Sequence, residues 1–266
     1  MSRNIIGFLS DEKLKASFPK DAVVLVDTPK PIVYFHHEPE CITEQVAYLL
    51  ANWQKFDVIY TWNQEIFDKC PNARLYHFCS SWISEEVFRN IDVSKKKFAI
   101  STLCGSKVYP RASGHILRIN LFYNQPYFTS RFPLVIFRSE QQKPVLPDLN
   151  NNPLLTAVHA GKVRLFEEFQ FCIVIENEKT NNNFTEKLID CLITKTLPIY
   201  YGCPNVSAFF DTQGWIEFDE LEDLYVKLQT LNETHYAKFT DSIEKNYQKA
   251  ISLRDYYTNI ENAISH

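Results

Sequence analysis

Apolar blocks alternate with polar stretches along the chain, and their lengths and spacing predict strands and helices in turn. The clearest block spans residues 169–204. Unbroken apolar runs at residues 171–175 and 197–201 are typical of strands that are buried on both faces. Between them, Thr185 precedes apolar residues at helical spacing and has the character of an N-cap. A strand, a helix and a second strand in this order predict parallel strands with a right-handed crossover.

The remaining blocks predict an α/β chain with two domains. Strands are predicted at residues 22–26, 31–35, 56–60, 75–78, 98–102 and 132–137, and helices at 43–53, 84–88, 116–123, 221–231 and along 232–266. A stretch rich in Gln, Pro and Asn, residues 139–153, indicates a surface loop. The charged run 94–97 indicates a solvated linker or a strand entry. We therefore predict domains at 1–95 and 96–232, followed by a helical segment at 233–266.

Composition and charge indicate a folded protein without an obvious polyanionic partner. Of the 266 residues, 45% are apolar and 14% aromatic, which excludes a disordered chain. The net charge of −4 gives no reason to expect nucleic acid or an anionic membrane as a partner. The chain has no run of about 18 apolar residues and no signal-peptide pattern at its start. We therefore expect no membrane span and a cytoplasmic location.

Cysteine and glycine usage narrows the candidate chemistry. Seven cysteines, an odd number without a C-x-x-C pair, are typical of reduced thiols in a cytosolic protein and make a structural zinc site improbable. Only six glycines are present, and neither of the Gly-rich phosphate-binding motifs occurs. A D-x-D triplet, a common ligand set for a metal-bound diphosphate, is also absent. Any phosphate would therefore be held by side chains and a helix start.

Charged and amide residues gather where the predicted strand 171–175 ends. Glu176 and Asn177 follow the strand directly, and Glu186 and Lys187 begin the predicted helix. Ligands of open α/β sheets bind outside the carboxyl ends of the strands, which is where these side chains should meet. The start of the helix also offers free backbone N–H groups to an anion such as a diphosphate.

The same stretch resembles the donor-binding pattern of the α-1,3/4-fucosyltransferases, glycosyltransferase family 10, in its bacterial or viral type without a membrane anchor. The residues that carry the resemblance are Phe171, Glu176–Asn177, the run 185–188 and the turn 198–202. Two positions depart from the family pattern. Glu178 stands where the family usually has Ser, and Asn183 stands where many members have Tyr.

The resemblance implies a fold and an activity. The fold would be GT-B, with two Rossmann-like α/β domains facing each other across a cleft, the acceptor side in residues 1–95 and the nucleotide-sugar side in 96–232. The activity would be inverting transfer of fucose from GDP-fucose to a hydroxyl of an N-acetylglucosamine-containing glycan. Members of this family do not depend on a metal, so we expect no cofactor beyond the donor itself.

Glu38 is the candidate catalytic base. The resemblance places it in the N-terminal segment where the family has its proposed general base. Inverting transfer needs a carboxylate to accept the proton of the attacking hydroxyl. His36 and His37 are candidates for orienting Glu38 or contacting a substrate. On spacing alone, a solvated glutamate at a strand end is the simpler interpretation of Glu38, since most glutamates face water.

Arg118 is the candidate diphosphate ligand. The family has an arginine near the start of this helix, and a guanidinium suits phosphate because it makes two parallel hydrogen bonds. Arg111 competes for the same role, and an exposed helix arginine is the alternative interpretation. Ser101 corresponds to a serine that precedes this arginine in the family and is carried over as a donor contact.

Glu186 and Lys187 are the candidate ribose and phosphate ligands implied by the family, with Asn177 as an amide close to the donor. If Glu186 and Lys187 were considered without the rest of the family pattern, a solvated ion pair in the first turn of a helix would explain them equally well. Glu176 and Asn183 are further candidate contacts. Glu176 could instead be a structural partner of a nearby cation.

Three other functions stay open at the level of sequence. The first is the same mechanism with another nucleotide sugar, since Asn183 and the glycine-free segment 135–138 lie near the predicted donor side. The second is a glycan-binding protein that kept the fold without catalysis. The third is a glycoside hydrolase, which needs two carboxylates about 5 to 9 Å apart. The acceptor and the linkage formed, 1,3 or 1,4, are left open as well.

Overall fold

The computed structural model describes residues 23–26, 32–36, 38–77, 79–156, 161–255, 258–259 and 262. The chain divides into two compact units. Unit 1 is drawn from Met1–Phe78 and Thr180–Asn183, and unit 2 is drawn from Cys79–Lys179 and Phe184–His266. Two α/β units were expected from the sequence, but the short return of the chain to unit 1 at Thr180–Asn183 was not.

Unit 1 contains a four-stranded sheet. Its strands are β1 (Val23–Val26), β2 (Ile32–His36), β3 (Val58–Thr61) and β4 (Ala73–Leu75), and its helices are α1 (Glu40–Thr43), α2 (Gln45–Asn52) and α3 (Gln64–Lys69). The sheet order is β1-β2-β3-β4, with β1 antiparallel to β2 and the other pairs parallel. Tyr34, Leu49 and Ile59 are fully buried in its core.

Two predicted elements of unit 1 are shifted. The helix predicted at 43–53 is broken at Glu44, which has a φ of 52° in the left-handed region and separates α1 from α2. That conformation disfavours a continuous helix because the side chain of an L-residue crowds the backbone there. The strand predicted at 75–78 lies earlier, at β4.

Unit 2 contains a six-stranded, fully parallel sheet. Its strands are β5 (Lys97–Cys104), β6 (Leu134–Ser139), β7 (Leu154–Leu155), β8 (Phe169–Ile175), β9 (Leu197–Tyr201) and β10 (Ile216–Glu217). Its helices are α4 (Glu85–Arg89), α5 (Ser113–Tyr123), α6 (Gln125–Thr129), α7 (Glu186–Ile193), α8 (Leu221–Leu228), α9 (His235–Lys238) and α10 (Thr240–Leu253). Of the loop predicted at 139–153, residues 140–153 form no helix or strand, while Ser139 is the last residue of β6.

The strand order of unit 2 is that of a Rossmann fold. Along the sheet it runs β7-β6-β5-β8-β9-β10, so the chain winds outward in one direction from β5 and in the other from β8. Neighbouring pairs are in parallel register, for example Ser101 with Cys172 and Ile173 with Ile199. The point where the winding reverses lies between β5 and β8, and such switch points are where open α/β sheets bind ligands.

The strand–helix–strand block predicted from the sequence is confirmed. β8, α7 and β9 fall on the predicted residues, and the hydroxyl of Thr185 caps α7 by accepting a hydrogen bond from the backbone N–H of Lys187. β8 is buried on both faces: Cys172 and Val174 pack into one hydrophobic core of unit 2, and Ile173 packs into the other. Both faces of this strand therefore need apolar side chains, which explains the continuous apolar run in the sequence.

The unit boundaries lie elsewhere than the predicted divisions at 95/96 and 232/233. Ile83 and Phe88 precede residue 95 yet are buried in a core of unit 2, and Tyr247 and Ala250 of α10 are buried in the same core. Apolar side chains join the unit whose core they complete, so residues 79–95 and the C-terminal helices belong to unit 2. A separate C-terminal segment at 233–266 is not formed by the described residues.

The charged run 94–97 is a strand entry, one of its two predicted interpretations, because β5 begins at Lys97, and it is not solvated throughout. Lys96 is only 6% exposed, and its ammonium donates to the carbonyl oxygen of Phe169 (3.1 Å) and to the hydroxyl of Thr196 (2.8 Å). Burial lowers its pKa to about 7. Lys96 therefore ties the start of β5 to β8 and to the turn before β9, which charge pattern alone did not indicate.

All seven cysteines are free thiols, and six of them are buried. This agrees with the prediction of reduced cysteines. In the part of the chain that the structure describes, no helix is both long enough and apolar enough to cross a membrane.

Candidate functional site

A pocket opens at the switch point of unit 2, where β5 and β8 end side by side. Its empty volume is about 740 Å³, open solvent included. The wall is apolar on the sheet side and charged at the rim. The lining residues are Trp82, Leu103, Gly105, Arg118, Ser139, Gln141, Gln142, Lys162, Leu165, Phe166, residues 172–175, Glu186 and Lys187.

One side of the pocket is built by α5 docking on the end of β8. The backbone N–H of Gly114 donates to the carbonyl oxygen of Asn177 (2.9 Å). The side-chain oxygen of Asn177 accepts from Arg118 Nη2 (2.9 Å) and faces His115 Nε2 (3.1 Å). Arg118 Nε also donates to the carbonyl oxygen of Gly114 (3.2 Å). These contacts fix the guanidinium at the rim of the pocket.

Gly114 permits this close approach. A Cβ atom at this position would lie 1.7 Å from the carbonyl oxygen of Glu176, a distance that no side chain can occupy. The helix can start against the strand end only because residue 114 lacks a side chain. The backbone geometry that brings Arg118 to the pocket therefore depends on a glycine outside any phosphate-binding motif.

The other side of the pocket is built by the start of α7. Glu176 is 1% exposed and accepts from the backbone N–H of Thr185 (2.9 Å) and from its hydroxyl (2.7 Å). Lys187 Nζ lies 3.0 Å from the same hydroxyl and 3.4 Å from a carboxylate oxygen of Glu176. Glu176 thus joins the end of β8 to the helix start and holds the lysine that follows.

Glu186 and Lys187 form a partly enclosed ion pair, with Lys187 Nζ 3.4 Å from Glu186 Oε1. Burial raises the pKa of Glu186, but the ammonium groups of Lys187 and Lys162 outweigh it and hold this pKa at about 2. Burial lowers the pKa of Lys187, while Glu186 and Glu176 reverse this effect and leave the pKa raised. Both residues are therefore charged at neutral pH, and the site offers a carboxylate beside a cation.

A second ion pair lies deeper in the pocket wall and was missed by the sequence analysis. Lys162 Nζ is 2.6 Å from Asp190 Oδ2, and the ammonium sits 4.4 Å above the ring of Trp82. Asp190 Oδ1 accepts from the hydroxyl of Ser81 (2.6 Å). Burial raises the pKa of Asp190, and Lys162 opposes that shift. The available sequence signal was an aspartate among apolar residues of α7.

The structure brings five of the predicted site residues together. Arg118, Glu186 and Lys187 line the pocket, Asn177 contacts Arg118, and Glu176 contacts Lys187. Arg111, the rival of Arg118, is exposed. His115 is an additional member of this group that the sequence analysis did not single out.

Other predicted contacts lie apart from this group. Ser101 is fully buried within β5, and its hydroxyl donates to the carbonyl oxygen of Leu165. Asn183 is buried and belongs to unit 1, where its backbone N–H lies 3.4 Å from the carbonyl oxygen of Thr180. Glu38 is half-buried and follows the end of β2 in unit 1. His37 lies outside the described residues.

Unit 1 holds a polar contact next to Glu38. His36 is buried at the end of β2, with Nδ1 2.9 Å from the hydroxyl of Thr61 on β3. Its ring stacks on Trp62, with 5.2 Å between the ring centroids. His36 thus contacts Thr61 and Trp62 at the strand end that Glu38 follows.

The chemistry available at the switch-point pocket is that of an anion site. Two cations, Arg118 and Lys187, flank a strand end, and the carboxylate of Glu186 can accept hydrogen bonds from hydroxyl groups. Among the described residues, no group of three or more His, Cys, Asp or Glu is arranged to hold a metal ion.

Comparison with known proteins relates the sequence to one glycosyltransferase. No family model matches the chain. Over 103 residues it is 28% identical to the alpha-(1,3)-fucosyltransferase FucT of Helicobacter pylori. That match covers 36% of this chain and 21% of FucT, so the chain aligns with about a fifth of the curated relative.

Comparison with solved structures defines the class of fold. The crystal structure of an alpha1,3-fucosyltransferase with GDP superimposes with a TM-score of 0.51 at 14% identity, over 86% of this chain and 74% of that one. A mutant of S. aureus TarM in complex with fondaparinux, alpha-GlcNAc-glycerol and UDP also gives 0.51, at 12% identity, over 84% of this chain and 46% of that one. The chain thus has the α/β fold of the GT-B class, as predicted.

Proposed function

We propose that this protein is an inverting glycosyltransferase that transfers fucose from GDP-fucose to a hydroxyl of an N-acetylglucosamine-containing glycan, as an α-1,3-fucosyltransferase does. The observation that carries the proposal is the meeting of Arg118, Asn177, Glu186 and Lys187 at the switch point of a Rossmann-type sheet. The local sequence similarity to FucT and the shared fold support the same class of enzyme.

The donor would be held by its diphosphate and its ribose. Arg118 and Lys187 supply two positive charges from opposite sides of the pocket, and they would stabilise the diphosphate as it leaves. Glu186, kept ionised by its cationic neighbours, would accept hydrogen bonds from the two ribose hydroxyls. This arrangement would need no metal ion, because Arg118 and Lys187 would neutralise the negative charge of the departing diphosphate.

Glu38 would act as the base. In the reaction the acceptor hydroxyl forms a bond to the anomeric carbon, the bond from that carbon to the diphosphate oxygen breaks, and the hydroxyl proton passes to the carboxylate. Replacing Glu38 by Gln should abolish transfer and leave donor binding intact. A non-catalytic glycan-binding protein would instead keep all of its function in Glu38→Gln.

A second candidate donor is a UDP-sugar. The TarM complex with UDP superimposes on this chain as well as the fucosyltransferase complex does, with the same TM-score of 0.51. The fold alone therefore fits more than one nucleotide. The local similarity to a fucosyltransferase favours GDP, the nucleotide named in the superimposed alpha1,3-fucosyltransferase structure.

Calorimetric titration of the purified protein in EDTA tests both candidates. GDP, GDP-fucose, UDP and ADP are compared under the same conditions. Binding confined to the guanine nucleotides is the expected result, and it would justify a screen of glycan acceptors. Equal binding of UDP would overturn the fucose assignment, and binding of none of these nucleotides would overturn the donor site itself.

A further inference from the structure

The amide of Asn177 is held in a single orientation. Its side-chain oxygen lies 2.9 Å from Arg118 Nη2 and 3.1 Å from His115 Nε2. A guanidinium can only donate hydrogen bonds, so the atom that Arg118 meets must be the oxygen. The amino group of Asn177 is the remaining half of the amide, and among the described residues it makes no hydrogen bond. A donor is therefore left over beside Arg118, which lines the pocket.

The protonation state of His115 is fixed by its neighbours. The backbone N–H of Tyr109 donates to His115 Nδ1 (3.1 Å), so that nitrogen carries no proton. The ring proton must then reside on Nε2, where it is donated to the oxygen of Asn177. Burial and the nearby Arg118 lower the pKa of His115 to about 4, so the ring stays neutral in this tautomer at physiological pH.

His115 supplies what Arg118 alone cannot. One hydrogen bond from a guanidinium restrains the oxygen of an amide but allows rotation about the bond that joins the amide to Cβ. A second donor on the same oxygen, together with the backbone bond from Gly114 to Asn177 (2.9 Å), removes that freedom. His115 is itself only 5% exposed, so its ring is held by the surrounding structure and not by a ligand.

We propose that His115 is a positioning residue for the nucleotide-sugar site: it holds Asn177 so that the amide N–H₂ donates to an oxygen of the bound diphosphate. This inference rests on the proposed function. It assigns the side-chain oxygen of Asn177 to the protein and the amino group to the ligand. The side chains that surround the diphosphate are then Arg118, Lys187 and a neutral, pre-oriented amide donor.

Titration with GDP in EDTA tests the inference through three variants. His115→Phe keeps a ring but loses the donor, and GDP affinity should fall about tenfold, as for one hydrogen bond. His115→Gln places an N–H donor close to the same position and should recover affinity to within about threefold of the wild type. His235→Phe is the matched control, because His235 bonds the carbonyl oxygen of Gly214 (2.9 Å) away from the pocket.

Asn177→Asp is an independent test, because it does not require the His115 variants to fold. A carboxylate still accepts from Arg118 and His115, so thermal stability should not fall. It offers an oxygen in place of the amino group, and GDP affinity should drop by more than in His115→Phe because like charges then meet.

The outcomes separate the inference from the function on which it rests. If the wild-type protein binds GDP and folded His115→Phe or Asn177→Asp binds it equally well, the positioning role is wrong. If His115→Gln is as weak as His115→Phe, ring packing and not hydrogen bonding explains the effect. If the wild-type protein binds no nucleoside diphosphate, the proposed function fails and the role of Asn177 fails with it.

Discussion

Lys162 and Asp190 form an ion pair of 2.6 Å in which both side chains are almost completely buried, with 5% and 0% of their side-chain surface exposed. Lys162 lines the pocket together with Glu186, whose pKa it helps to lower. Asp190 also accepts from Ser81 (2.6 Å) and from the backbone N–H of Trp82 (3.0 Å). The segment before α4 is thereby joined to α7 by charge and by hydrogen bonds.

Breaking this pair should destabilise the protein strongly. Lys162→Met leaves a buried carboxylate without its cation, and the free energy of unfolding should fall by about 3 kcal/mol. Asp190→Asn in the same background should restore part of the loss, because the remaining uncompensated charge is removed. Urea denaturation of both single variants and of the double variant measures this coupling.

The control is an exposed pair in the same unit. Lys97 and Glu168 lie 3.2 Å apart with 72% and 61% of their side-chain surface exposed, so Lys97→Met should leave stability nearly unchanged. Equal effects of Lys162→Met and Lys97→Met would contradict the view that burial makes the first pair important.

Gly114→Ala should destabilise the protein strongly, although it adds only one methyl group. The added methyl group would meet the backbone of Glu176 at 1.7 Å, and the backbone cannot rotate away as a side chain can. We expect a loss of about 2 kcal/mol in unfolding free energy, together with weaker GDP binding as Arg118 moves from the pocket. Gly105→Ala is the comparison for stability, because its Cβ would meet the flexible end of Gln142. A similar loss of stability in the two variants would exclude this explanation.

The N-cap of α7 should also contribute to stability. Thr185→Ala removes the hydroxyl that caps the helix, accepts from Lys187 and donates to Glu176. Stability should fall by about 1 kcal/mol, and Thr185→Ser should recover most of it. Chemical denaturation of the two variants checks the prediction. Failure of Ser to restore stability would assign the effect to the lost methyl group.

Mildly acidic pH should destabilise the fold through His115. Its pKa is about 4 in the folded protein and about 6.5 when exposed, so the unfolded chain binds more protons between these values. The contribution of His115 to stability is therefore fully present above pH 6.5 and declines as the pH falls toward 4. Glu186, with a folded pKa of about 2, acts only below about pH 4.5. Unfolding free energies at several pH values should show a flatter profile for His115→Gln between pH 6.5 and 4, and an identical profile would contradict the assignment.

Arg118 should be essential for diphosphate binding. Arg118→Gln keeps a hydrogen-bond donor toward Asn177 but loses the charge, so GDP affinity should fall at least tenfold while the fold is retained. The matched control is Arg131→Gln, which removes an exposed arginine of the same unit. Comparable loss in both variants, measured by calorimetry, would indicate a general charge effect and not a specific ligand.

The elements around the site follow from the sequence because their causes are local. A continuous apolar run determines β8, Thr185 determines the start of α7, and a second apolar run determines β9. These signals lie within a few residues of the structure they produce. The polar residues that follow β8 could accordingly be placed at a strand end before any contact was known.

Partnerships across the sheet were decided only by the tertiary structure. His115 and Asn177 are 62 positions apart and meet because β5 and β8 are neighbours in a sheet whose order the local pattern does not specify. Lys162 precedes β8 and Asp190 lies on α7 after it, so their ion pair also depends on packing that the local pattern does not specify. Ser101 was predicted to contact the donor, but it is buried in β5 and its hydroxyl donates to the carbonyl oxygen of Leu165. Periodicity determines which face of an element is apolar, whereas the side chain it meets depends on long-range packing.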